Sequence, residues 1–158
     1  MKQLFLKKEP RIPFTKEGYQ KLIEEKASLT AQRPDAVEHL RLARNMGDLS
    51  ENGYYKASRQ KLSFIDSRIR RVERLIRLAV IVESTHGGMV DIGSVVTVSD
   101  GTNTSQYSIV GGYESDPSKK TISHISPLGK ALMSKKQNDV VEVRAPSGIK
   151  KYRILIIS

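Results

Sequence analysis

Two carboxylates three residues apart, Asp48 and Glu51, have the clearest capacity for chemistry in this chain. They lie in the segment RNMGDLSENGYY, where a glycine interrupts a long basic stretch with helical periodicity. Carboxylate oxygens are ligands that Mg²⁺ prefers, and the ion usually keeps several waters. Two such groups are too few for a complete site. They suit a site that another protein completes, such as a two-metal centre that cleaves a phosphodiester.

The same two residues also fit an ordinary helix-capping motif. Asp48-Leu49-Ser50-Glu51 matches a capping box, in which the first residue caps a helix and the glutamate reaches back to its amide. The two interpretations are compatible, because one carboxylate oxygen can cap while another faces outward. A structural role and a metal-binding role therefore both remain open from the residues alone.

Composition limits the kind of protein this can be. The 158 residues include no cysteine, which excludes disulfides and thiolate metal sites and agrees with a reducing cytoplasm. The three histidines, His39, His86 and His124, show no ligand spacing. No stretch is long and apolar enough for a signal-peptide core or a membrane span. We therefore expect a cytoplasmic protein that does not enter a membrane.

Positive charge is concentrated in the first half of the chain. There are 27 basic and 17 acidic side chains, a net charge of +10. Residues 1–80 hold 18 basic and 10 acidic side chains, whereas residues 81–158 hold 9 and 7. The excess predicts a polyanionic partner for the first half.

The segments that flank the carboxylates have the periodicity of two paired helices. Apolar residues recur at spacings of three and four on both sides of Gly47, and the second series has the 3.5-residue period of a coiled coil. The first series comprises Tyr19, Leu22, Leu29, Ala36, Leu40 and Ala43; the second comprises Tyr55, Ser58, Leu62, Ile65, Ile69, Val72, Ile76 and Ala79. Residues 15–80 are thus predicted to form an antiparallel hairpin with arms of roughly 45 Å. Pro34 predicts a kink near residues 32–34.

The remainder of the chain predicts a small antiparallel β-rich domain. β-Branched runs flank Asp100-Gly101, a hairpin signal, and a final hairpin is expected to turn at residues 146–148. Ser126 and Pro127 begin a short helix, and a further strand is expected at residues 121–125. Residues 79–84 are expected to run out from the helix into a linker. The predicted fold class is α+β, with domains at residues 1–82 and 83–158.

The quoted segment, together with the stripes on either side, resembles the tip of the bacterial Gre transcript-cleavage factors, GreA and GreB. The segment SPLGKALMSKKQNDVVEVRAPSGIKKYRI is similar to the C-terminal pattern of the same family, and the two resemblances are collinear over about residues 13–157. One departure is Gly53, where members commonly carry alanine.

This resemblance implies an accessory transcription elongation factor rather than an enzyme. It implies an FKBP-like C-terminal domain that binds RNA polymerase, and a coiled coil that enters the secondary channel of the polymerase. Asp48 and Glu51 would help to hold a catalytic Mg²⁺ jointly with the polymerase, whose own active site would cut backtracked RNA so that arrested complexes resume elongation. The factor is expected to be a monomer that contacts the nascent RNA 3′ end and binds DNA or RNA weakly.

Further contacts are predicted on both domains. The candidates on the hairpin for contact with RNA or polymerase are Lys56, Arg59, Arg70, Arg71, Arg74, Tyr54 and Tyr55. The cations also fit a merely solvated face, and the two tyrosines also fit closure of the hairpin core. Ser126, Pro127 and Lys130 are expected in the polymerase-binding segment.

Three other functions remain as alternatives. The first is a regulator of the same shape that inhibits or modulates polymerase without cleavage. The second is a peptidyl-prolyl isomerase activity of the C-terminal domain, although fold alone does not imply function. The third is a general nucleic-acid-binding coiled coil, whose affinity would depend steeply on salt.

Overall fold

A computed structural model describes residues 10–46, 52–84, 87–145 and 148–158. These residues form two compact units, one of residues 20–78 and the other of the segments on either side of it. The elements, in chain order, are β1 (Ile12–Phe14), α1 (Lys16–Asn45), α2 (Gly53–Leu78), β2 (Ala79–Ile81), β3 (Val95–Ser99), β4 (Thr104–Val110), β5 (Thr121–Ser123), α3 (Pro127–Leu132), β6 (Val140–Ala145) and β7 (Gly148–Ile157).

The two long helices confirm the predicted hairpin arms and their apolar seam. The stripe positions of both helices are buried or half-buried, with Ala43 and Val72 almost completely removed from solvent. α1 runs without interruption from Lys16 to Asn45 and contains Pro34. The expected irregularity at residues 32–34 therefore does not break the helix.

The charged residues that interrupt the first stripe are paired across the hairpin. The Lys26 ammonium lies 3.0 Å from Glu73, and the Arg33 guanidinium donates to Asp66 at 2.7 Å. That hydrogen bond and the carboxylate charge raise the pKa of Arg33. Such exposed pairs add little stability, but they favour one register of the two arms over its alternatives. Arg68 and Glu25 form a third cross-arm pair.

The C-terminal residues form a five-stranded sheet with the order β5-β4-β3-β7-β6. Inward-facing β-branched residues of this sheet pack with Leu132 of α3 into a core. This arrangement confirms a β-rich domain with one short helix. The sheet is antiparallel except that β5 pairs in parallel with the last three residues of β4, because residues 111–120 carry the chain back to lie beside Ser108.

A second, two-stranded sheet corrects the interpretation of the junction. α2 ends at Leu78, and β2 pairs in parallel with β1, so that Ile12 faces Ala79 and Phe14 faces Ile81. Residues 79–81 are therefore a strand rather than the start of a linker. The pairing joins segments far apart in sequence, which no local pattern could indicate. It also places residues 10–19 in the same compact unit as the β-rich domain, whereas the predicted boundary left them with the hairpin.

Candidate functional site

The predicted tip carboxylates, Asp48 and Glu51, lie outside the described residues, as does the capping box to which they belong. The structure does describe the ends of both arms. The side chain of Asn52 accepts a hydrogen bond from the Tyr55 amide at 3.0 Å and donates to the Ala43 carbonyl at 3.2 Å. Asn52 thereby caps α2 and ties it to the last turn of α1.

The two tyrosines beside the tip have different environments. Tyr55 is half-buried on the seam side of α2, as expected of a residue that closes the hairpin core. Tyr54 is 41% exposed, and its hydroxyl lies 2.8 Å from Nδ1 of His39, with the two rings edge to face. Nothing in the sequence had assigned His39 a partner, because the contact crosses between the arms. Tyr54 is thus the tyrosine that is held in place while remaining exposed.

The predicted cations of α2 form one exposed face. Lys56, Arg59, Arg70, Arg71 and Arg74 are all exposed. At 100° per residue they lie within about 60° of a common direction, on the side opposite the buried seam. Among the described residues, none of these five takes part in an ion pair, although one guanidinium nitrogen of Arg70 donates to the Ser67 hydroxyl at 3.1 Å. The row is therefore available to an external polyanion.

The predicted polymerase-binding segment lies at the start of α3. Ser126 caps this helix by accepting from the Gly129 amide at 3.0 Å, and Pro127 is its first residue. Pro127 and Lys130 are exposed. A Cβ on Gly129 would lie 2.1 Å from the carbonyl oxygen of Ser123, so the glycine is needed for close packing of α3 on β5. The geometry gives Ser126 a structural role and leaves the other two side chains accessible.

A clasp at the start of α1 is a feature that the sequence did not indicate. Thr15 caps the helix by accepting from the Gly18 amide at 3.0 Å. The Glu114 carboxylate accepts from the Thr15 amide at 2.9 Å and from the Thr15 hydroxyl at 2.5 Å. A carboxylate is favoured at this helix end by the helix dipole. The partners are 99 residues apart, which explains why local reasoning missed the contact.

The described residues contain no group of three or more His, Cys, Asp or Glu side chains that could hold a metal ion. The donor set at residues 48 and 51 consists of two carboxylates, which suits partial coordination of a hard cation such as Mg²⁺. No helix within the described ranges is long and apolar enough to cross a membrane.

These features define a class of α+β protein in which a long helical hairpin with one basic face is joined to a small β-rich unit. Two family descriptions match consecutive parts of the chain. "Transcription elongation factor, N-terminal" matches residues 12–81, and "Transcription elongation factor, GreA/GreB, C-term" matches residues 84–158. The chain belongs to the GreA/GreB family of transcription elongation factors.

The chain is also similar to individual curated proteins and to a solved structure. The chain is 41% identical over 147 residues to "Transcription elongation factor GreA" of Staphylococcus saprophyticus, covering 90% of this chain and 93% of the relative. It is 42% identical over the same coverage to the protein of that name from Staphylococcus epidermidis. Among solved structures, GreA factor homolog 1 (Gfh1) of Thermus thermophilus is 26% identical, with a TM-score of 0.45 over 94% of this chain and 99% of that protein.

Proposed function

We propose that this protein binds RNA polymerase, inserts its helical hairpin into the secondary channel and stimulates cleavage of backtracked RNA by the polymerase's own active site. The observation that carries the proposal is the row of five exposed cations on α2, on the face opposite the seam and without described ion-pair partners. Such a row suits both RNA and an acidic channel wall. Family membership supports a role in elongation, since the relatives are named as transcription elongation factors.

Asp48 and Glu51 are assigned the chemical role at the tip. When bound, Mg²⁺ would supply charge stabilisation and an activated water for attack on the phosphodiester. The two carboxylates would contribute oxygen ligands to an ion that the polymerase also holds. Because the factor brings only part of that coordination, it acts as an accessory factor. Its proposed working state is a monomer in the cytoplasm. Asn52 and the His39–Tyr54 pair tie together the described ends of the two helices that flank these residues in sequence.

The β-rich unit is proposed to dock on the polymerase through the start of α3. Pro127 and Lys130 are exposed there, on a helix whose backbone is fixed by the Ser126 cap. With docking assigned to the β-rich unit, the hairpin is available to contact the reacting phosphate. This assignment accounts for the weak net charge of the second half, which need not contact nucleic acid.

The proposal is tested with stalled, backtracked elongation complexes and the variants Asp48→Asn and Glu51→Gln. Each removes one negative charge and keeps the side-chain shape, so we expect RNA shortening to fall by at least tenfold while binding to polymerase is retained. Asp35→Asn, an exposed position on α1, is the matched control and should cleave as well as the unmodified protein.

The result that would contradict the proposal is wild-type cleavage by either tip variant. RNA of unchanged length with altered elongation, given by the unmodified factor, would instead identify an inhibitor of the same shape. Binding to duplex DNA or RNA alone, with no effect on stalled complexes, would identify a general nucleic-acid-binding coiled coil.

A further inference from the structure

Phe64 is the most exposed aromatic side chain of the described hairpin, with 66% of its surface accessible. It lies on α2, away from the seam positions on either side of it in sequence, Leu62 and Ile65. A phenylalanine in this position lies outside the apolar seam between the two arms. Single exposed apolar side chains are common on protein surfaces, so the residues around the ring must indicate whether it binds another molecule.

The surroundings of Phe64 have the chemistry of a single-stranded nucleic-acid site. The ring borders a groove of about 570 Å³ on the outer side of α2, lined by Lys56, Arg59, Gln60, Ser63, Phe64 and Ser67. None of these residues is acidic, and neither Lys56 nor Arg59 has an ion-pair partner among the described residues. Cations beside an exposed ring are the combination by which proteins bind single strands, with phosphates on the cations and a base stacked on the ring.

We propose that Phe64 is a stacking platform for one base of single-stranded RNA, and that Lys56 and Arg59 bind the phosphates next to that base. The assignment of RNA as the single strand rests on the proposed function, in which backtracked RNA lies beside the hairpin. Gln60 and Ser67 lie on the helical turns before and after Phe64, and both side chains are uncharged. The groove is therefore open to a planar base.

Charge complementarity favours RNA over a protein surface as the occupant. A protein partner that covered an apolar ring would gain from apolar neighbours around it, whereas the other lining residues are polar or cationic. A stacked base tolerates such a rim, since its own edges are polar. Tyr54 and Tyr55, the aromatic residues first considered for stacking, are less suitable because one is hydrogen-bonded to His39 and the other is half-buried.

The experiment measures binding of a fluorescein-labelled single-stranded RNA octamer to the full chain by fluorescence anisotropy at low salt. Phe64→Ala should weaken binding by roughly 5- to 100-fold, the range expected for loss of one stacked base. Phe64→Leu should weaken it similarly, whereas Phe64→Trp should bind at least as tightly as the unmodified chain. Ile149→Ala, which removes an equally exposed side chain on β7, is the matched control and should have no effect.

The salt dependence separates the two kinds of contact. Lys56→Gln and Arg59→Gln should each reduce the slope of log affinity against log salt, whereas Phe64→Ala should leave that slope unchanged. Phe64 is exposed on a helix, so its replacement by alanine leaves the fold intact, and circular dichroism should show unchanged helix content.

Three results would overturn the inference. They are equal RNA binding by Phe64→Ala and the unmodified chain, full binding by Phe64→Leu, and a loss of binding to core polymerase with RNA binding unchanged. Because the RNA assay contains no polymerase, its outcome is independent of the cleavage assay. A chain that binds RNA through Phe64 but fails to stimulate cleavage would refute the proposed function alone.

Discussion

Replacing Gly18 with alanine should have opposite effects on stability depending on whether Glu114 is present. A Cβ on Gly18 would lie 2.2 Å from both Cδ and Oε2 of Glu114, closer than any real contact. The carboxylate would have to leave its position, and its two hydrogen bonds with Thr15 would be lost. In a Glu114→Ala chain the three atoms nearest to that Cβ are removed, and the methyl group replaces a glycine in the first turn of α1.

The magnitude follows from the groups that lose their partners. Thr15 is only 7% exposed, and hydrogen bonds to a charged acceptor contribute about 1.5–3 kcal/mol. Alanine gains up to about 1 kcal/mol over glycine in a helix. Gly18→Ala should therefore lower the free energy of unfolding by about 1–2 kcal/mol in the unmodified chain. In a Glu114→Ala background it should raise that free energy by about 0.5–1 kcal/mol. The coupling between the two sites is then about 2 kcal/mol, within the range for residues in direct contact.

The assay is urea unfolding of the four chains of this double-mutant cycle. The near-ultraviolet circular dichroism of the tyrosines reports on tertiary packing and includes Tyr113, whose ring stacks on Phe14 near the clasp with centroids 6.3 Å apart. Far-ultraviolet signal from the long helices provides a second probe and reveals any departure from a single transition. Equal effects of Gly18→Ala in both backgrounds, or stabilisation in both, would refute the assignment of Glu114 as the partner of Thr15.

Three further predictions concern other positions. Gly129→Ala should destabilise the protein by about 2 kcal/mol or more, since its Cβ would meet backbone atoms of Ser123 that cannot move easily. Gly53→Ala, where a Cβ meets nothing within 4 Å, should be neutral or stabilising by up to about 1 kcal/mol, and thermal unfolding compares the two. Hydrogen bonds from the backbone amides of Asn103 and Thr102 lower the pKa of Asp100 from its ordinary value of 3.8. The ionised carboxylate therefore stabilises the fold fully at pH values above 3.8, and this contribution is lost as the pH falls through the lowered pKa of the folded state. Asp100→Asn should thus be less stable than the unmodified chain at neutral pH and equally stable in strong acid, as urea midpoints across that range would show; a constant difference would contradict this.

The sequence predicted those features that depend on local periodicity. Both apolar seams were predicted correctly, because a helix repeats its faces every three to four residues and burial follows that repeat. The short α3 helix was predicted from its cap and its proline, which are signals within a few residues of the helix start. The metal-binding role of Asp48 and Glu51 stays a prediction, since it depends on residues that the structure does not describe.

The features that the sequence did not predict are contacts between distant segments. The partners of Lys26 and Arg33 lie on the opposite arm. The Glu114 clasp joins residues 99 positions apart, and the β1–β2 ribbon pairs residues 12–14 with residues 79–81. Each of these depends on three-dimensional proximity, which a single sequence does not encode in any local repeat. The exposed ring of Phe64 could be recognised only once the seam positions were known, because an isolated phenylalanine in a helical segment normally predicts burial.

The ribbon of β1 and β2 makes the length of the hairpin independent of the rest of the molecule. Both α1 and α2 lie between these two strands in the chain. The hairpin is therefore an insertion that begins after Phe14 and ends before Ala79. Deleting seven residues from each arm would preserve the seam and shorten the hairpin by about 10.5 Å. Matched heptad deletions would therefore measure how transcript cleavage depends on the length of the hairpin, with the β1–β2 pairing unaltered.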